Sequence, residues 1–174
     1  RPELLRRLVM EAPDAIKWLN ELGVMFDKTE DGTMVTTHGG GTSRKRMHAA
    51  KDYSGAEIMR TLRDEVLNRG IEVVDFTSAI ELIKDENGNC AGAVLLNMET
   101  KELMVAKAKG VILATGGYAA NIEMVQETNT YWDKDFIADN IGTTNRSSLT
   151  GDGITMAQKV GADLWHMQQV CGGD

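Results

Sequence analysis

Apolar residues recur at helical spacing at the start of the chain, at Leu4, Leu8, Ala12, Ala15, Leu19 and Leu22. This predicts a helix over residues 2–22 that buries one face. Pro2 suits a first helical turn, whereas Pro13 predicts a kink or a restart, with Asp14 favouring a new N-terminus. Gly23 stands where a C′ residue belongs. No period holds over residues 24–53. The stretch "TEDGTMVTTHGGGTSRKRMHAAKDYSG" is polar and glycine-rich and reads as one long loop, a length that in compact domains goes with function or disorder.

The helical period returns at Ser54. Ser54 and Glu57 have the spacing of a capping box, Ile58, Met59, Leu62, Val66 and Leu67 supply a buried face, and Gly70 closes the helix. From Ile71 the period drops to two. "IEVVDF" leads into "TSAIELIKD", Asn87-Gly88 marks a tight turn, "CAGAVLLNM" returns, and "ETK" turns the chain into "ELMVAKA". These runs predict a three-stranded antiparallel meander, with residues 78–84 paired to 91–97. "GVILA" then reads as a buried strand ending at Gly116-Gly117. "TGDGITMAQKVGADL" predicts a helix from near Asp152, with Ile154, Met156, Ala157 and Val160 as its apolar side.

A length of 174 residues suffices for one domain with its own core, and 42% hydrophobic with 26% charged residues is ordinary for a globular protein. The net charge of −7 argues against a nucleic-acid partner, because no basic surplus displaces counterions from phosphates. The cluster Arg44-Lys45-Arg46 is short and reads as a solvated loop. No run approaches the ~20 apolar residues of a membrane helix. Cys90 and Cys171 form no CxxC and suggest no disulfide framework, so the expected compartment is cytoplasmic. The chain opens on Arg1 and closes on "CGGD", and an internal segment of a longer protein is expected.

Candidate chemistry is sparse. His38, His48 and His166 are widely separated and neither cysteine has a second ligand at zinc spacing, so no metal site is expected. No Ser-His-Asp or Cys-His pattern emerges, and the ten methionines fall on helix and strand faces, as core packing requires. Two glycine-bearing stretches stand out. "ATGG" ends a strand where the backbone can pass close to a ligand or simply turn. In "TGDG", Asp152 offers two acceptors to sugar hydroxyls, but it also sits where a helix N-cap belongs. No GxGxxG follows a strand.

Taken together, "GGGTSRKRMHAAKDYSGAEIMRTL", "GVILATGG" and "TGDGITMAQKVGADL", in this order and spacing, resemble the flavoprotein subunits of fumarate reductase and succinate dehydrogenase. That family includes L-aspartate oxidase and flavocytochrome c fumarate reductase, and the resemblance spans nearly the whole chain. It implies an α/β fold: a partial FAD-binding (Rossmann-like) domain with an antiparallel three-stranded meander and an N-terminal helical arm. The arm is residues 1–23, the long loop 24–53, and the α/β part 54–174. It also implies that FAD is held in the parent protein by Thr115, Gly116 and Gly117, by Asp152, and by backbone groups at Ser78 and Ala79. The dinucleotide fingerprint would precede Arg1, as would the histidine that links the flavin in many members. The capping domain and catalytic arginine would follow Asp174. Where members read "QxHPTG", this chain has "QVCGGD", without the histidine, so fumarate, succinate, L-aspartate and an enone-type ring all stay open as substrates.

The implied activity is hydride transfer between flavin and a carbon beside an electron-withdrawing group of a small substrate. Catalytic residues are unassigned; Arg44, Arg46 and His48 are the basic residues near the family's active-site loop. The other reading is a non-catalytic binding or interaction module that keeps the flavin-domain shape. The segment alone is not expected to retain FAD, lacking the pyrophosphate-binding helix. It is expected to self-associate through exposed apolar surface, and to meet a membrane only through partner subunits.

Overall fold

The computed structural model describes residues 1–132 and 141–168. The chain forms two compact units, Arg1–Val73 and Val74–Asp174. Among the described residues no helix is long and apolar enough to cross a membrane.

In the first unit, helix α1 spans Pro2–Glu21 and runs through Pro13 without restarting at Asp14. The proline ring leaves the Val9 carbonyl without its helical donor, a cost the remaining ladder absorbs. Gly23 ends the helix as expected, at φ +106°. Its N–H donates to the Asn20 carbonyl (3.1 Å) and that of Val24 to the Leu19 carbonyl (3.0 Å), the paired bonds of a Schellman motif. The expected burial of the apolar face does not occur: Leu4, Leu8, Ala12 and Ala15 are exposed, and Leu19 and Leu22 half-buried. An amphipathic helix buries its stripe only against a second surface, and within this unit the loop stands over part of it and leaves a groove.

Residues 24–53 form the expected loop, but a well-laced one. The Asp27 N–H donates to the Ala49 carbonyl (2.8 Å), and the Asp27 carboxylate accepts from the Lys51 N–H (3.0 Å). Single bridges join Lys28 to Met34 and Thr37 to Met47. Val24, Phe26 and Ala50 are buried beneath it. Helix α2 follows at Ser54–Asn68 with Tyr53 as its N-cap, so the capping box does not form. Ser54 lies one residue inside the helix, and its hydroxyl accepts from the Ala50 N–H (3.0 Å). The Glu57 carboxylate instead accepts from the Met25 N–H (3.1 Å) and from Arg60 (2.7 Å). Thr61 is the buried residue of α2; Ile58, Leu62 and Val66 are half-buried, while Met59 and Leu67 are exposed. Gly70, at φ +64°, closes α2 as expected.

Residues 71–76 are not a strand, although their period is two. In the second unit β1 (Thr77–Lys84), β2 (Cys90–Asn97) and β3 (Leu103–Lys107) form a three-stranded antiparallel sheet in that order. The register runs from Thr77 opposite Asn97 to Lys84 opposite Cys90, so the predicted pairing of 78–84 with 91–97 is present. The Asn-Gly turn is held by Asp85, whose carboxylate accepts from the Asn89 (2.8 Å) and Asn87 (2.9 Å) N–H groups. Those bonds, Asn89 foremost, hold its carboxyl below the usual carboxylate range. In β2, Gly92 sits at φ +147°, and a Cβ there would lie 2.0 Å from the Ala106 carbonyl oxygen, so β2 and β3 meet this closely only over a glycine.

The run "GVILA" is also not a strand, and Ile112 is 94% exposed. A strand exists as a paired ladder, and a continuous apolar run asks for cover on both faces. Among the described residues, 110–117 finds neither. Helix α3, Ile122–Thr128, was not expected; the Asn121 side chain caps it, accepting from the Met124 N–H (3.0 Å). Helix α4 spans Asp152–Lys159, starting where predicted, and packs against β1. Among the described residues of this unit, Ala93, Val125 and Met156 are the buried apolar ones.

Candidate functional site

The glycine turn and the start of α4 are clasped to each other, and the glycines make the clasp. Gly153, in the first turn of α4, is buried, and a Cβ on it would lie 2.0 Å from the Thr115 Oγ1 and 3.0 Å from the Thr115 Cβ. The Thr115 side chain therefore occupies the space over Gly153. Gly116, at φ +76°, has the Leu149 side chain where its own would be, 2.4 Å from a built Cβ. Gly151, at φ +85°, is covered by Met124 (2.7 Å) and by the Tyr118 Cβ (2.9 Å). Two hydrogen bonds close the same seam: the Ala120 N–H donates to the Leu149 carbonyl and the Asn121 Nδ2 to the Thr150 carbonyl, both at 3.0 Å. Tyr118 extends it, its hydroxyl donating to the Met167 carbonyl and lying 3.3 Å from the Thr128 hydroxyl.

Three of the four glycines are thus needed for close packing within the chain. Gly117 differs: among the described residues nothing lies within 4 Å of the position its Cβ would take, so they leave its side of the turn open. Asp152 is the first residue of α4. Gly151 is the N-cap and no side chain caps the helix, so Asp152 is not capping it. Its carboxylate is exposed and makes no hydrogen bond among the described residues, while the unpaired amides of the first turn carry the positive end of the helix dipole. A free carboxylate beside the free amides of a helix N-terminus can accept from sugar hydroxyls and donate to phosphate, and the clasp joins that helix start to the glycine turn. Ser78 and Ala79 lie at the start of β1, opposite Leu96 and Leu95, on the strand against which α4 packs; Ser78 is exposed and Ala79 half-buried.

Sequence reasoning missed Tyr118, Asn121 and Leu149, which complete the clasp. Asn121 ahead of "IEM" carried a readable N-cap signal; Leu149 carried none, because its partner lies 33 positions earlier. Of the basic candidates, Arg44 and Arg46 are exposed, while His48 Nδ1 bonds the Val35 carbonyl (2.9 Å). Among the described residues no group of three or more His, Cys, Asp or Glu side chains could hold a metal ion. Cys171 and Gly173 lie outside the described residues.

Residues 1–171 match the FAD binding domain family. NADH:acrylate oxidoreductase of Vibrio harveyi is 34% identical over 162 residues, covering 93% of this chain and 15% of that protein. NADH:fumarate oxidoreductase of Klebsiella pneumoniae is 34% identical over 171 residues, 97% of this chain and 17% of its own length. Among solved structures, the open conformation of a flavocytochrome c3 fumarate reductase aligns with a TM-score of 0.75 at 29% identity, covering 88% of this chain and 25% of that one. The chain thus spans about a quarter or less of the length of each.

Proposed function

We propose a function from one premise: the chain belongs to the FAD binding domain family, and resembles within it the fumarate reductase and succinate dehydrogenase flavoproteins. On that premise it is an internal segment of the FAD-binding domain of an oxidoreductase, with residues 1–23 as a helical arm, 24–53 as a loop and 54–174 as the α/β part. The parent enzyme transfers a hydride between flavin and a small activated substrate. An α,β-unsaturated carboxylate is the class that the names of two relatives, for acrylate and for fumarate, have in common.

The observation that carries this reading is the clasp of Thr115 over Gly153. It joins the turn that carries Gly117 to the first turn of α4, which carries Asp152, and this supports reading the two together. Asp152 would accept from sugar hydroxyls of FAD. The Gly117 edge would admit the cofactor, Thr115 and Gly116 would hold that edge against α4, and the Ser78 and Ala79 backbone would line the neighbouring strand. FAD supplies the hydride chemistry, while the protein orients it and excludes competing reactions. No catalytic residue is assigned within this chain.

A small-molecule substrate is the partner this reading requires. The exposed Leu4, Leu5 and Leu8 of α1 and Leu103 and Val105 of β3 support self-association of the segment when it is alone. The cysteine usage favours a cytoplasmic location, with any membrane attachment made through partner subunits. The test is flavin content. The purified protein carrying this chain should be yellow, Asp152→Ala should lower its FAD affinity at least about tenfold as a charge-assisted hydrogen bond is lost, and its photoreduced flavin should be reoxidised by acrylate or fumarate. A protein that is colourless and takes up no FAD on reconstitution would overturn the reading.

A further inference from the structure

The first unit holds a groove of about 510 Å³ that the flavin reading does not use. One wall is α1, which contributes Leu8, Val9, Ala12 and Ile16, a single stripe at helical spacing. The loop supplies the other wall, with Met34, Arg46 and His48. The bridge between Thr37 and Met47 keeps the chain extended there. Arg46 and His48, two residues apart, therefore leave the backbone on the same side, and Met47 leaves on the other, where it covers Gly39 at 2.8 Å from a built Cβ.

The two polar residues are held differently. His48 Nδ1 lies 2.9 Å from the Val35 carbonyl oxygen, which only accepts, so Nδ1 carries the proton and the ring is fixed in place. Arg46 donates to the Ser43 hydroxyl at 3.1 Å and, among the described residues, forms no ion pair. The neighbouring Arg44 and Lys45 form none either among the described residues, but neither lines the groove. An uncommitted guanidinium at the edge of an apolar groove calls for an anionic head on an apolar body. The volume is in the range of ligand pockets, roughly 300–1,000 Å³.

We propose that this groove binds an amphipathic monocarboxylate, its apolar body lying along the α1 stripe and its carboxylate on the Arg46 guanidinium. The inference does not rest on the flavin reading. Its test is calorimetric titration of the purified, flavin-loaded protein that carries this chain, with decanoate and, in parallel, decanol, which has the same body without the charge. Decanoate should bind at least about tenfold more tightly, the range expected of a charge-assisted hydrogen bond. Arg46→Gln should erase that preference, Lys45→Gln should keep it, and Ala12→Trp should block both ligands by filling the groove. Arg46→Gln lies on an exposed loop and decides the matter if Ala12→Trp fails to fold. Equal binding of the two ligands, a preference that survives Arg46→Gln, or one that Lys45→Gln loses equally would overturn the proposal. So would a concentration-dependent dimer that Ala12→Trp dissociates, since a second copy would then be the occupant.

Discussion

Adding one methyl group at Gly153 tests the clasp between the glycine turn and α4. In an open helix, Gly→Ala stabilises by about 1 kcal/mol, because alanine loses less backbone entropy on folding. Here the new Cβ would lie 2.0 Å from the Thr115 Oγ1, 3.0 Å from its Cβ and 3.1 Å from its Cγ2. Rotating the threonine moves Oγ1 and Cγ2 but leaves its Cβ in place, so the backbone of the turn must retreat. Overpacking of this kind costs about 1–3 kcal/mol, and the depth of the overlap points to the upper part of that range. Net of the helix gain, Gly153→Ala should destabilise by about 1–2 kcal/mol, a fall of roughly 2–8 °C in melting temperature for a chain of this size. Circular dichroism melts of the purified protein read the first effect, and flavin-fluorescence titration reads the second, a weaker grip on FAD. In a Thr115→Gly background the overlap is gone, so the same substitution should become neutral or stabilising, a coupling of about 1–3 kcal/mol. If Gly153→Ala raised the melting temperature in the Thr115 protein and left FAD affinity unchanged, the clasp would not exist as described.

Gly92→Ala should be more damaging, about 2–5 kcal/mol, because the overlap at 2.0 Å is with the Ala106 carbonyl oxygen, which no rotamer relieves, and φ is positive; denaturant unfolding would show it, and an unchanged midpoint would refute the β2–β3 contact. Glu57 is lowered from 4.5 to about 2, first by its hydrogen bonds from Arg60 and then by the Met25 N–H. A depressed acid contributes stability that is fully present above 4.5 and lost as pH falls towards 2. The melting temperature of the native protein should therefore fall more steeply over that interval than that of Glu57→Gln, and parallel curves would contradict the assignment. Residues 1–174 alone should bind FAD weakly: three or four hydrogen bonds of about 0.5–1.5 kcal/mol each do not overcome an association cost of about 4–15 kcal/mol. Micromolar or tighter binding in a fluorescence titration would show that the affinity resides in this segment after all.

Spacing and turn chemistry made much of this architecture legible in one dimension. The apolar repeats of α1 and α2, the glycines that close them at 23 and 70, the Asn-Gly hairpin and the start of α4 all depend on residues within a few positions of one another. Periodicity is such a local property, and it survived folding. What it could not supply was the identity of distant partners. Ser54 and Glu57 have the spacing of a cap, yet their side chains hold Ala50 and Met25, because once Tyr53 takes the cap position those amides are within reach. Residues 71–75 and 110–117 have the composition of strands but pair with no strand among the described residues, and α1 keeps its stripe exposed for want of a full covering surface. The glycines of "ATGG" and "TGDG" marked a place where the backbone passes close to something. Only the tertiary structure showed that Leu149, Tyr118, Met124 and Thr115 fill three of those spaces and that the described residues leave Gly117 open. A missing side chain marks a close approach in the sequence, but what approaches comes from elsewhere in the chain or from outside it.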